Sequence, residues 1–236
     1  MKNNFRKRTV TSVQKKKQVQ RYIRLGLIIL AVLTAILLVL TIIKIIKPGW
    51  LARGYFELSS EEIDASRPDI DVQLLTVNAY SRPGIETDKI RGIVIHYTAN
   101  PGSTAMDNRN YFEHLKDTEA TQASSNFVVG LEGEIVQCVP TWEVAYASNE
   151  RNRDTVSIEC CHPDESGKFT QETYRSMVQL SAWLCMKFDL TEQDVIRHYD
   201  VTGKNCPKYF VEDERAWEQF KQDIKTAIAN GGFEDE

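Results

Sequence analysis

Nineteen consecutive residues without a charge, LGLIILAVLTAILLVLTII from Leu25 to Ile43, split this chain into two physically different parts. As a helix rising ~1.5 Å per residue the run covers roughly 28 Å, close to the hydrocarbon thickness of a bilayer. It lacks the polar face that a helix on a soluble fold presents to water. A cleaved signal peptide has a shorter apolar stretch, ~7–15 residues, ending at a small-residue cleavage site. Here Lys44 and Lys47 follow the run with no such site. The run reads as a single retained transmembrane helix.

Charge is distributed accordingly. Residues 1–24 hold nine Lys or Arg and no acid, and Lys44 and Lys47 bring the basic count before residue 48 to eleven. That leaves 18 of the 29 basic residues against all 33 acidic ones from Pro48 onward, a net charge of −15. The positive-inside rule then places residues 1–24 in the cytoplasm and the acidic body outside, anchored to the cell membrane by one pass. The basic tail is explained as a topology signal in contact with anionic lipid, so nucleic acid is not an expected partner.

Five segments follow from this reading: a basic tail (1–24), the transmembrane helix (25–43), a stalk or linker (44–78), a compact domain (79–230) and a short C-terminal tail (231–236). Within the stalk, Ser59 or Ser60 caps a short helix. The compact domain is long enough for one core. GIVIHY (92–97), TVSIECC (155–161) and VIRH (195–198) read as strands, and NFVVGLEGEIVQCV (126–139) as a strand pair turning at Glu132-Gly133. Helices are expected over 105–116, capped by Ser103 or Thr104, over 171–188, and over 213–229. The interleaving predicts an α/β fold with a mixed central sheet flanked by helices.

Polar chemistry collects at strand ends. His96 closes GIVIHY and His198 closes VIRH, and Cys206 follows on a loop that Gly203 and Pro207 keep from becoming helical. Strand ends opening into loops on one rim are where sites are built. A catalytic zinc needs three protein ligands and one open position, and imidazole with thiolate suits zinc better than magnesium or calcium. From spacing alone, a core histidine and a buried free cysteine remain the alternative. His114 reads as solvated on a helix face, and His162 as the start of a polar loop.

Four ordered segments carry a resemblance: IVIHYTANPG (93–102), SSNFVVGLEGEIVQ (124–137), SIECCHP (157–163) and RHYDVTGKNCP (197–207). They resemble the zinc-dependent N-acetylmuramoyl-L-alanine amidases, the superfamily of phage-lysozyme-type amidases and peptidoglycan recognition proteins. The resemblance covers nearly all of residues 79–230. It implies that His96, His198 and Cys206 bind Zn2+ at the floor of a groove. It implies peptidoglycan as substrate, cut at the amide between N-acetylmuramic acid and L-alanine. Glu159 matches a family carboxylate that moves the proton, and strand alternation allows it to face the groove. Lys204 matches a family lysine that stabilises the oxyanion.

Two departures from the family pattern bear on the site. Some phage-type members carry Tyr-His where this chain has Ser125-Asn126, which shifts weight from a catalytic tyrosine to Glu159. Some carry a histidine where this chain has Tyr146. Asn100, Asn126 and Tyr146 are expected to line the groove, with Arg109 and Trp142 as further candidates. A non-catalytic peptidoglycan-binding domain is the rival function, and loss of a zinc ligand would favour it. Of the five cysteines, the four besides Cys206 are expected to be buried free thiols, with a cross-sheet bond from Cys138 to Cys160 or Cys161 as the alternative.

Overall fold

The computed structural model describes residues 2–46 and 59–232. These fall into two compact units, one on each side of Gly54–Tyr55. Among the described residues the first unit holds one helix, α1 (Lys2–Ile46), of 45 residues. Within it, Lys17–Val39 has a mean hydropathy of 2.5, which makes it long and apolar enough to cross a membrane. Thr34 and Thr41 turn their hydroxyls back onto the carbonyls of Ala31 and Leu37, so neither presents an unmet polar group.

The second unit is built on a six-stranded sheet in the order β1-β4-β3-β5-β2-β6. The strands are β1 (Asp71–Val72), β2 (Gly92–Tyr97), β3 (Phe127–Val129), β4 (Ile135–Gln137), β5 (Thr155–Cys160) and β6 (Val195–Arg197). Only β3 and β4 pair antiparallel. They are joined by the expected hairpin, where Gly133 sits at φ +86 and a Cβ would lie 3.0 Å from the Glu172 carbonyl oxygen. All other pairs are parallel, and β2 lies between β5 and β6 with His96 opposite Glu159.

Helices cover the sheet. They are α2 (Ser60–Ala65), α3 (Ala105–Thr118), α4 (Gln171–Phe188), α5 (His198–Thr202), α6 (Lys208–Glu212) and α7 (Glu214–Ala229). Side-chain alternation sorts the strands between two cores. Ile93 and Ile95 of β2, Phe127 and Val129 of β3 and Ile158 of β5 pack with Met177, Leu180 and Leu184 of α4 and Phe220 and Ile224 of α7. Val128, Val136 and Cys161 pack on the other face with Phe112 and Leu115 of α3. The mixed sheet flanked by helices, expected from the interleaved pattern, is thus the observed fold.

Caps explain where the helices begin. Ser59 and Glu62 form a reciprocal capping box on α2, and Thr104 and Asp107 form one on α3. Thr170 caps α4 and Asp213 caps α7.

Three features depart from the sequence expectations. The folded body begins before residue 79: β1 pairs with β4, Leu75 is 1 % exposed, and α2 lies against α4. A two-residue strand has too little period to be seen in sequence. His198 opens α5 rather than ending a strand, and the short helix stops at Gly203, φ +78, where no Cβ has to be accommodated. Lys208–Glu212, to which the sequence assigned no element, is helical. The last four residues of the expected C-terminal tail, 233–236, and much of the stalk, 47–58, lie outside the described residues.

Candidate metal centre and active site

Three parallel neighbours carry the polar residues to one rim. His96 is the fifth residue of β2, Glu159 the fifth of β5, and His198 follows directly on β6. Cys206 returns to the same place through the turn after α5, where Tyr199 N donates to Cys206 O at 2.8 Å. The outcome is a cluster in which the ligand atoms of His96, His198 and Cys206 all lie within 4.8 Å of one another. All three residues are buried. Cys206 Sγ is 3.9 Å from His96 Nδ1, and the two imidazole centroids are 4.6 Å apart.

The ring nitrogens divide their roles. The distal nitrogens are engaged: His96 Nε2 with Ser148 Oγ at 3.1 Å, and His198 Nε2 with Asn149 Oδ1 at 2.9 Å. His198 Nδ1 is buried and has no hydrogen-bond partner. Polar atoms this deep are nearly always satisfied, and beside two further ligand-type atoms an unpartnered one has the placement a bound ion would complete.

Glu159 stands beside the cluster, with Oε1 4.0 Å from His96 Nδ1. Its side chain keeps 18 % exposure, while Oε2 is buried without a partner. Burial pushes its carboxyl from the ordinary 4.5 up to about 8, against the opposing pull of the Lys204 ammonium. Burial also holds His96 well below the usual imidazole range, helped by His198 and Lys204, and lowers His198. The His96–Glu159 contact is therefore between two neutral groups near pH 7 rather than an ion pair. The Cys206 thiol is pushed up to about 12, again by burial and by Glu159. Lys204 is exposed on the loop two residues before Cys206, and its charge is felt at all four of these groups.

The other expected site residues divide. Asn100 is exposed on the loop after β2, and Tyr146 is half-buried two residues before Ser148. Trp142 is 65 % exposed. Asn126 does not face a groove. It is 1 % exposed, its Nδ2 donates to the Pro140 carbonyl at 3.1 Å, and its Oδ1 accepts from Ser157 N at 3.0 Å. The amide ties the start of β3 to β5, which no pattern of spacing reveals. Arg109 donates to the carbonyls of Gln73 and Leu74 and so holds the segment just after β1. His114 is solvated beside Asp117, and His162 bonds the Asp164 carbonyl through Nδ1. Cys138, Cys160, Cys161 and Cys206 are free thiols, and all five cysteines are buried. Ser148 and Asn149 escaped sequence reading because a polar S-N pair in a loop has the composition of any turn.

Residues 86–209, a little over half of the chain, match the family described as N-acetylmuramoyl-L-alanine amidase. Two relatives from Bacillus licheniformis are similar. One is a probable N-acetylmuramoyl-L-alanine amidase, 34 % identical over 64 % of this chain and 46 % of its own length. The other is the N-acetylmuramoyl-L-alanine amidase CwlL, 32 % identical over 65 % of this chain and 46 % of its own. The chain thus spans about half the length of these curated relatives. Among solved structures, a mutant endolysin from Bacillus subtilis superposes with a TM-score of 0.57 at 26 % identity, covering 67 % of this chain and 99 % of that one. The fold, the convergence of His96, Glu159, His198 and Cys206 on one rim, and the matched residues agree: the chain belongs to the N-acetylmuramoyl-L-alanine amidase family.

Proposed function

We propose that this protein is a zinc-dependent peptidoglycan amidase, held at the cell membrane by its N-terminal helix, that hydrolyses the bond between N-acetylmuramic acid and L-alanine. The observation that carries the reading is the convergence of two imidazoles and one thiol within 4.8 Å, with a buried, unpartnered Nδ1 on His198. Two nitrogens and a sulfur fit zinc, and three protein ligands leave a fourth position open, as catalytic zinc sites do. His96, His198 and Cys206 would hold the ion, and Cys206 would give up its thiol proton on binding. Zinc in such a site supplies Lewis acidity that makes water nucleophilic near neutral pH.

The remaining work falls to the chain's own side chains. Glu159 is the proton carrier. Its carboxylate takes a proton from the attacking water, and the resulting acid returns it to the departing amine nitrogen. The carbon–nitrogen bond breaks, the lactyl side keeps the new carboxylate, and L-alanine leaves with a free amino group. The raised pKa of Glu159, about 8, suits this exchange, because both protonation states are accessible near neutral pH. The Lys204 ammonium offsets the negative charge that develops on the amide oxygen. Asn100 and Tyr146 contact the glycopeptide along the approach to the centre.

The same reading assigns the segments: residues 1–24 at the cytoplasmic face, 25–43 in the bilayer, and the amidase beyond them, joined by a connection shorter than the expected 44–78 because α2, β1 and Leu75 already belong to the folded body. The amidase then faces outward, where peptidoglycan lies. Digestion of purified peptidoglycan tests the activity. New L-alanine amino termini are expected, and they should disappear after chelation and return with added zinc. A digest with no new L-alanine termini would overturn the proposal.

A further inference from the structure

Ser148 and Asn149 touch the two histidines from the side away from the proposed reaction and have no part in it as described. Ser148 Oγ is 3.1 Å from His96 Nε2, and Asn149 Oδ1 is 2.9 Å from His198 Nε2. His96 comes from β2 and His198 from the start of α5, about a hundred residues later in the chain, whereas the two partners are consecutive on one loop. We propose that Ser148-Asn149 is a two-residue clip that fixes the tautomer and orientation of both imidazoles, so that each offers Nδ1 to a bound metal ion. The inference rests on the metal reading above and makes both members positioning residues.

Donor and acceptor chemistry sets the tautomers. An amide oxygen only accepts, so the His198 nitrogen facing it carries the proton. A neutral imidazole has one protonated nitrogen, which leaves the lone pair on Nδ1. That atom is the buried one without a partner. On His96 the same geometry recurs: Nε2 meets a hydroxyl able to accept, and Nδ1 lies 3.9 Å from Cys206 Sγ. An outer hydrogen bond of this kind also raises the basicity of the ligating nitrogen.

The clip is itself held in place. Asn152 Oδ1 accepts from the backbone N–H groups of Ala147 and Ser148 at 3.1 and 2.6 Å. Arg151 N donates to Ser148 O at 3.0 Å, and Thr155 Oγ1 at the start of β5 donates to Arg151 O at 2.6 Å. Asn149 adopts φ +53, a left-handed conformation that asparagine and glycine tolerate better than other residues. The loop is therefore anchored to the strand that carries Glu159, and one short segment couples three elements of the site.

Zinc affinity separates positioning from general structure. The full chain, kept in detergent micelles, is stripped of metal and titrated with zinc against a chromophoric chelator. Cobalt(II) loading is followed in parallel by its thiolate charge-transfer absorption. Asn149→Gly keeps the left-handed backbone and removes the acceptor, and Ser148→Ala removes the hydroxyl. Each is expected to weaken zinc binding about 10- to 100-fold and to alter the cobalt spectrum. The metal-free melting temperature should stay near wild type. Asn149→Asp, which presents only oxygens to His198, should bind zinc at least as tightly as wild type. Wild-type affinity in Asn149→Gly, or a loss in Asn149→Asp as large as in Asn149→Gly, overturns the clip alone. A wild-type protein that takes up no zinc overturns the metal reading and the clip with it.

Discussion

At Glu159 the same burial bears on stability and on the proposed chemistry. Folded, its carboxyl keeps its proton up to about pH 8, while its ordinary value is 4.5. Between those values the folded state binds more protons than the unfolded one, so stability falls as pH rises across this window and is fully present below it. His96 and His198 act in the opposite sense. Their lowered values make the metal-free protein lose stability as pH drops through the imidazole range. Glu159→Gln removes only the first dependence. Melting curves of the metal-free protein should therefore show wild type losing stability between pH 5 and pH 8 relative to the glutamine variant. A constant offset across that range would refute the buried-acid assignment. Metal and proton roles separate in a second comparison. Cys206→Ser should lose bound zinc, measured by elemental analysis, together with activity. Glu159→Ala should keep zinc and lose at least about 100-fold in turnover, the usual scale of general acid–base catalysis.

At the scale of elements, α5 places His198, and Arg197 holds α5. The guanidinium donates to Asp200 Oδ1 at 2.9 Å, to Glu214 Oε2 at 2.7 Å and to the Phe210 carbonyl at 3.0 Å. It also lies over the rings of Tyr199 and Trp217. One side chain thus ties β6, α5, α6 and α7 together next to a proposed ligand. Arg197→Ala leaves the Phe210 carbonyl without this donor, and a loss of about 2 kcal/mol is expected in urea unfolding. Zinc affinity should fall as well, since His198 loses its footing. Elements were legible where the period ran long or a cap announced the start. The apolar residues of β2, the capped start of α3, the span of α4 and the Glu132-Gly133 hairpin are all plain in the sequence. β1 and α6 were not, because two and five residues carry no period and draw their stability from partners distant in the chain.

For the whole molecule the decisive contrast is between a basic, apolar N-terminus and an acidic folded body. Removal of residues 1–43 is expected to move the protein from the membrane pellet to the soluble fraction, with peptidoglycan digestion in solution retained. A full-length chain that carbonate washing strips from membranes would count against a spanning helix.

Local information was enough for the class of structure. Periodicity decided strands and helices, a charge-free run decided a candidate span, and four ordered segments pointed to a family. It was enough, too, to nominate His96, His198 and Cys206, because each sits beside a strand end or tight turn that its neighbours dictate. Tertiary structure alone decided which polar groups meet. Asn126 is drawn inward to join β3 to β5, Arg109 is taken up by the segment just after β1, and Ser148 and Asn149 are brought against the far sides of two histidines. The reason is physical: a hydrogen bond is settled by position to within a few tenths of an ångström, and side chains far apart in the chain acquire that precision only when the sheet brings them together.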